Sequence, residues 1–172
     1  MITLDFPWNH LSTPGYCWYN NDADTYKATY GALYNWYAVK TGKICPTGWH
    51  MPTDVEWTKL TDDLGVYYTS KGKLKQLGSY YMVGGKLKET GTTHWNSPNN
   101  GATNEVGFTA LPSGIRNFTG EFSEIGYQTE WWSSIEYNIT NAWKRRVDYS
   151  VSDIYRINDN KKIGFSVRCV KD

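Results

Sequence analysis

The chain has 172 residues, 40% of them apolar, which is enough for one core of ordinary size but not for two full domains. Lysine and arginine number 18 against 17 aspartate and glutamate, so a net charge of +1 leaves no surplus to attract nucleic acid or an anionic bilayer. No run approaches the ~18 uninterrupted apolar residues of a membrane span, and Met1-Ile2-Thr3-Leu4-Asp5 lacks the basic and apolar regions of a signal peptide, so the chain reads as a soluble domain.

With 9 Trp, 14 Tyr, 5 Phe and 16 Gly, the composition suits packed strands, contact surfaces and many turns better than long helices. Residues 1–24 have no clear period and read as an extended lead-in. Tyr30, Leu33, Tyr34 and Tyr37 fall at i, i+3, i+4, i+7, which predicts an amphipathic helix between Thr25 and Gly42. A second helix is predicted after Pro52: Thr53 is its cap, Glu56 completes a capping box, Trp57, Leu60 and Leu64 form one face, and Gly65 ends it. Residues 71–75 are basic and read as solvated, and Gly84-Gly85 reads as a turn. The polar stretch 96–104 reads as a long ordered loop. Short strands are predicted at 108–111, 115–118, 130–135, 142–151 and 163–170. Alternation in the fourth of these predicts Trp143 and Tyr149 facing inward, with Lys144, Asp148 and Ser150 facing solvent. Early helices followed by late strands give an α+β class.

The stretches 31–39 (GALYNWYAV), 45–57 (CPTGWHMPTDVEW) and 164–169 (GFSVRC), in that order, resemble the Fibrobacter succinogenes major paralogous domain. So do 85–91 (GKLKETG), 95–99 (WNSPN) and 107–114 (GFTALPSG). The resemblance covers a domain over residues 15–172 and is weaker over 1–14, a lead-in or junction. That family is similar to the C-type lectin fold in its formylglycine-generating-enzyme branch, which implies two helices flanking a small twisted antiparallel sheet with long loops. The enzymes of that branch act through paired cysteines. Here Cys169 is the only cysteine in the C-terminal half, so that chemistry is not carried over. The fold would bring Cys45 near Cys169, as a bridge or as two buried thiols, and leave Cys17 unpaired.

Other chemical signals are weak. His50 and His94 have carboxylates nearby at Asp54, Glu56 and Glu89, but no nucleophile elbow or metal-binding histidine pair appears, and His50 reads as a hydrogen-bonded residue at a helix start. Asn99, Asn104 and Glu105 are oxygen ligands that calcium could use, yet they lack a calcium-loop spacing, so no metal and no cofactor are expected. Most tryptophans are expected in the core, with one or two at a ligand surface.

The most informative segment is 135–163, where Trp143, Arg145, Tyr149, Arg156, Lys161 and Lys162 frame residues with no amphipathic order. The fold resembled is the one used by variable proteins of diversity-generating retroelements, in which adenine randomisation turns Asn codons into Tyr, Ile, Thr, Ser, Asp or Val. That resemblance implies ligand contacts at Tyr137, Ile139, Thr140, Asp148, Ser150, Val151, Asp153, Tyr155, Ile157 and Asp159; Ile135 opens the segment, and alternation along the strand adds Lys144 and Arg146 to the exposed face, which completes the expected contact set. The bland alternative is an ordinary solvated loop pair. The expectation is therefore a non-enzymatic adhesin or receptor-binding module of a phage tail fibre or bacterial surface protein, as part of an oligomeric fibre or alone. Its partner would be a protein or glycan on a cell surface, with no nucleic acid and no membrane insertion. The competing classes are a metalloenzyme relative of the formylglycine-generating type and a structural module without a ligand.

Overall fold

The computed structural model describes residues 8–65 and 82–172, together with the backbone of three short strands between them. The helices are α1 (Ala23–Tyr30), α2 (Trp36–Val39), α3 (Asp54–Asp63) and α4 (Val83–Leu87). The strands are β1 (Tyr16–Cys17), β2 (Leu33–Tyr34), β3 (Trp49–His50), β4 (Tyr68–Thr69), β5 (Gly72–Lys73), β6 (Ser79–Tyr80), β7 (Ser113–Arg116), β8 (Phe122–Ile125), β9 (Gln128–Glu136), β10 (Asn141–Asp148), β11 (Ile154–Asn160) and β12 (Val170–Lys171). The class is α+β, with few helices and several small antiparallel sheets. The largest sheet is antiparallel in the order β6-β11-β10-β9, and the others are two-stranded.

The single helix predicted between Thr25 and Gly42 is instead a helix, a strand and a second helix. Gly31 at φ +71° ends α1, a conformation that a side chain would strain. Leu33 and Tyr34 then pair with Cys17 and Tyr16, while Tyr34 exchanges main-chain hydrogen bonds of 2.7 and 3.0 Å with Phe165. Asn35 restarts the helix by accepting from the Ala38 N–H at 3.0 Å. The 3.6-residue spacing is real, but at Leu33 and Tyr34 main-chain pairing with β1 and with Phe165, both distant in sequence, takes the place of helical hydrogen bonds.

Helix α3 forms as predicted. Thr53 Oγ1 accepts from the Glu56 N–H at 3.2 Å, and Glu56 Oε2 accepts from the Thr53 N–H at 2.8 Å. Trp57 is buried, with Leu60 and Leu64 packed against the same cluster. Thr53→Ala is expected to cost about 1 kcal/mol in urea unfolding, the usual cost of a lost cap. An unchanged midpoint would show that the cap is not needed.

The Gly84-Gly85 pair lies inside α4 rather than in a turn. A Cβ on Gly84 would lie 2.1 Å from the Asp153 carbonyl oxygen, and one on Gly85 would lie 2.1 Å from that of Gly101. Glycine is needed here because the helix backbone meets two loops directly. Side chains at the basic stretch 71–75 lie outside the described residues.

Strands at 115–118, 130–135 and 142–151 correspond to β7, β9 and β10, while β8 and β11 were not anticipated. Residues 108–111 supply only a bridge from Ala110 to Lys88. In place of a strand over 163–170, Gly164, Phe165 and Ser166 bridge Arg116, Tyr34 and Trp131 in turn, before β12 pairs with β3.

The central sheet is covered on both sides. Consecutive residues point to opposite faces, so Trp131 enters a cluster with Trp57, Leu87, Val147 and Ile154, while Trp132 enters one with Trp36, Met51, Ala142 and Phe165. Trp8 and Leu11, from the expected lead-in, are buried in a third cluster with Cys17, Tyr19 and Leu33. Indole N–H groups of Trp8, Trp36, Trp57, Trp95 and Trp132 each donate to a main-chain carbonyl, so the aromatic core leaves these donors satisfied. Cys45 and Cys169 form a disulfide, and Cys17 is a buried free thiol.

Candidate ligand-binding surface

The segment 135–163 is the β10–β11 hairpin with its flanking turns, not a pair of loops. Its candidate residues fall into three places. A strand of eight residues such as β10 spans about 25 Å, so the two ends of the hairpin cannot form one patch.

The first place is the β9–β10 tip. Ile135, Tyr137 and Ile139 are 43%, 52% and 91% exposed, and Thr140 is exposed beside them. The tip is held in shape from beneath. Asn138 Oδ1 accepts from the N–H groups of Thr140 and Asn141 at 2.9 and 2.8 Å. The buried Lys161 ammonium donates to Glu136 Oε2 and to the carbonyls of Asn138 and Ile139 at 2.7 to 3.0 Å. Tyr137 meets the Trp143 ring edge to face at 4.9 Å, and the Arg156 guanidinium covers Trp143 at 3.5 Å. Two shallow depressions of about 480 and 560 Å³ adjoin the tip, sharing Trp36, Lys40 and Glu136. Ile135 lines one, and Tyr137 and Ile139 line the other. Trp36, Lys40 and Glu136 carried no signal as site residues, because only the packing of α2 against β9 brings them here.

The second place is one face of the sheet, where the register sets Lys144 opposite Ile157, Arg146 opposite Tyr155, and Ala142 opposite Asp159. Arg146, Tyr155, Ile157 and Asp159 are half-buried, and the Arg146 guanidinium stacks on Tyr155 at 4.8 Å. Lys144 corrects the expected pattern: it is 4% exposed. Its ammonium contacts the buried carboxylate of Glu130 and reaches Asp159 Oδ2 at 3.0 Å over the Phe165 ring. Burial pushes the Glu130 carboxyl up, and the Lys144 charge pulls against it. Trp143 is likewise only half-buried rather than a core residue.

The third place is the β10–β11 turn, where Asp148, Ser150, Val151 and Asp153 serve the fold. Asp148 Oδ1 accepts from the Ser150 N–H at 2.8 Å, and Asp153 Oδ1 accepts from the Met82 N–H at 3.1 Å. Lys88, fully buried, donates to the carbonyls of Asn100, Asp148 and Val151 at 2.8 to 2.9 Å. Burial pushes its ammonium down to about 8 despite the Asp148 charge. The 96–104 loop is ordered through the same lysine and through Asn100, whose amide donates to the Ser150 carbonyl at 2.6 Å. Of these four residues, only Ser150 is exposed.

The oxygen ligands considered for calcium are dispersed. Asn99 is buried and its amide nitrogen donates to the Glu89 and Gly91 carbonyls while its Oδ1 accepts no hydrogen bond among the described residues, Asn104 Oδ1 accepts from the Thr109 N–H, and Glu105 pairs with Lys86. Among the described residues, no group of three or more His, Cys, Asp and Glu is placed to hold a metal ion.

Residues 4–171 match the Fibrobacter succinogenes major domain. The chain belongs to this family. No curated protein and no solved structure matches it. The match to the Fibrobacter succinogenes major domain takes in the capping box of α3, the whole β9–β11 meander and the C-terminal stretch that bridges three elements. Among the described residues, no helix of this family member is long and apolar enough to cross a membrane.

In this family member His50 is clamped rather than poised. Asp172 Oδ1 lies 2.7 Å from its Nδ1 and Glu56 Oε1 lies 2.8 Å from its Nε2, so neither ring nitrogen is left for an outside proton. Asp172 first, then Glu56, push the imidazole above its usual 6.5. The folded value lies above the unfolded one, so these contacts stabilise the fold fully below pH 6.5 and are lost as the pH rises through the folded value. An NMR titration of His50 should show a raised midpoint, and Asp172→Asn should lower it. A midpoint at the ordinary value in the parent protein would contradict the clamp.

Proposed function

We propose that this domain is a ligand-binding module, of adhesin or receptor-binding type and not an enzyme, displayed on a bacterial surface or a phage tail fibre. Its contact surface centres on the β9–β10 tip. The observation that carries this reading is the trio Ile135, Tyr137 and Ile139, exposed at alternate positions of a tip pinned by Lys161 and Asn138. Scattered single apolar residues need no explanation, but three together on an ordered tip beside two depressions form a preorganised contact. Tyr137 supplies rigid amphipathic area suited to a protein or glycan partner.

On this reading the half-buried face of Arg146, Tyr155, Ile157 and Asp159 extends the surface, while Lys144 and Asp153 belong to the frame. The polar and aromatic variety at the tip and face fits a diversified surface of a retroelement variable protein. A near-repeat of the codons for 132–169, differing at adenines, would accompany such a gene. The meander packed between α3 and the helix of Trp36, with the C-terminal stretch threading back to β2, β7 and β9, supports a C-type-lectin-like fold. The Cys45–Cys169 disulfide supports an oxidising, extracellular setting.

The test is a triple variant, Ile135→Ser with Tyr137→Ser and Ile139→Ser, assayed on panels of bacterial cells and arrayed glycans. Stability should change by about 0.5 kcal/mol per exposed site, somewhat more at Tyr137, which rests on Trp143. Binding should fall by more than tenfold, since aromatic anchors dominate contact energies. Undiminished binding would move the contact surface elsewhere.

A further inference from the structure

We propose that the groove between α3 and the C-terminal strand is a second binding site, which takes an extended acidic peptide of a partner protein bearing aromatic side chains. The groove encloses about 610 Å³ and its floor is apolar, with Trp57, Leu60 and Phe108 on it and Trp49, 44% exposed, at its side. An indole left this open beside a concave apolar floor is unusual in a chain whose other tryptophans are buried or half-buried.

The rim decides the chemistry of the occupant. Its carboxylates already have partners: Asp63 pairs with Lys59 at 2.9 Å, and Glu56 holds His50 and the Thr53 N–H. Among the described residues its other two cations, Arg168 and Lys171, have no carboxylate partner. Arg168 donates to the Phe108 carbonyl at 2.9 Å while its guanidinium stacks on the Phe108 ring at 4.3 Å, and Lys171 lies exposed at the rim. The register sets Lys171 directly opposite Trp49. Each of these cations therefore stands next to an aromatic ring, and together they leave two positive charges over an apolar floor. That pattern complements aromatic side chains flanked by carboxylates.

The wall decides its shape. Strand β12 pairs with β3 on one side, and among the described residues no strand pairs with its other edge. An extended chain laid along that edge gains main-chain hydrogen bonds while its side chains reach the floor, which a compact small molecule would not.

The experiment uses the full chain, with its disulfide intact, and three synthetic peptides: acetyl-Glu-Phe-Glu-Phe-Glu amide, its Gln-for-Glu analogue and its Ala-for-Phe analogue. Tryptophan fluorescence and NMR shifts of the Trp49 indole report binding. The acidic aromatic peptide should bind and shift the Trp49 signal, with both analogues weaker by about tenfold or more, the usual effect of losing charge-assisted or aromatic contacts. Arg168→Gln with Lys171→Gln should weaken it similarly, and the exposed Lys171→Gln alone should give part of that loss without changing Tm. The triple variant at Ile135, Tyr137 and Ile139 should bind the peptide normally, which separates this site from the β9–β10 tip. Equal binding of the Gln analogue, undiminished binding by Lys171→Gln, or binding of hydrocinnamate without binding of the peptide would overturn the proposal.

Discussion

Replacing Lys144 by alanine is expected to destabilise the protein by about 3–5 kcal/mol, the cost of removing one partner of a buried ion pair. Its ammonium is the counter-charge of Glu130, which is 2% exposed on the same sheet face. Without Lys144 that carboxylate is left without its contact cation in a site too dry to solvate it, and it takes up a proton at a further cost to folding near neutral pH. Asp159 also loses its ammonium contact, but it is far more exposed and pays less. The companion variant, Lys144→Met with Glu130→Leu, removes both charges and should recover most of the loss, because an apolar pair of similar volume often matches a buried ion pair. Urea unfolding at pH 7 measures both. A loss below about 1 kcal/mol for Lys144→Ala would mean that the pair is hydrated, and Lys144 would return to the exposed surface expected from alternation.

Loss of the Cys45–Cys169 bridge should cost at least as much. The two cysteines are 124 residues apart, and the chain-entropy account gives about 4–5 kcal/mol for closing a loop of that length. The bridge joins the stretch before β3 to the stretch before β12, a two-stranded pairing of only two residues on each side. Without it, that pairing rests on the His50 clamp and the Asp172 N–H to Gly48 carbonyl bond of 3.1 Å. Urea unfolding with and without reductant, and of the Cys45→Ala with Cys169→Ala variant, should show the same drop in midpoint. Agreement of the oxidised and reduced unfolding free energies within about 1 kcal/mol would show that unfolded-state structure cancels the entropy term.

Some of this was legible in the sequence because its causes are local. Thr53 and Glu56 cap α3 through atoms three residues apart, and the strand character of 130–135 and 142–151 survives because β-branched and aromatic runs suit a sheet wherever it packs. Tyr137 and Ile139 entered the contact set through the family resemblance and Ile135 as the start of the segment, and the structure leaves all three exposed, whereas Ile154 and Ile163 of the same segment, equally apolar among polar neighbours, are buried. Other features depended on partners far along the chain. Leu33 and Tyr34 left a helical stripe because Cys17 and Phe165 offered main-chain pairing, and Gly84-Gly85 serves the close approach of a helix to two loops rather than a turn. The same reason explains Lys144. Alternation along β10 correctly separates two sets of side chains, but it says nothing about whether a second layer covers the polar set. Here Phe165, from 21 residues further on, and Glu130 on the neighbouring strand close over it. Residue character determines which side chains share a face; only the packing of distant segments decides whether that face meets water.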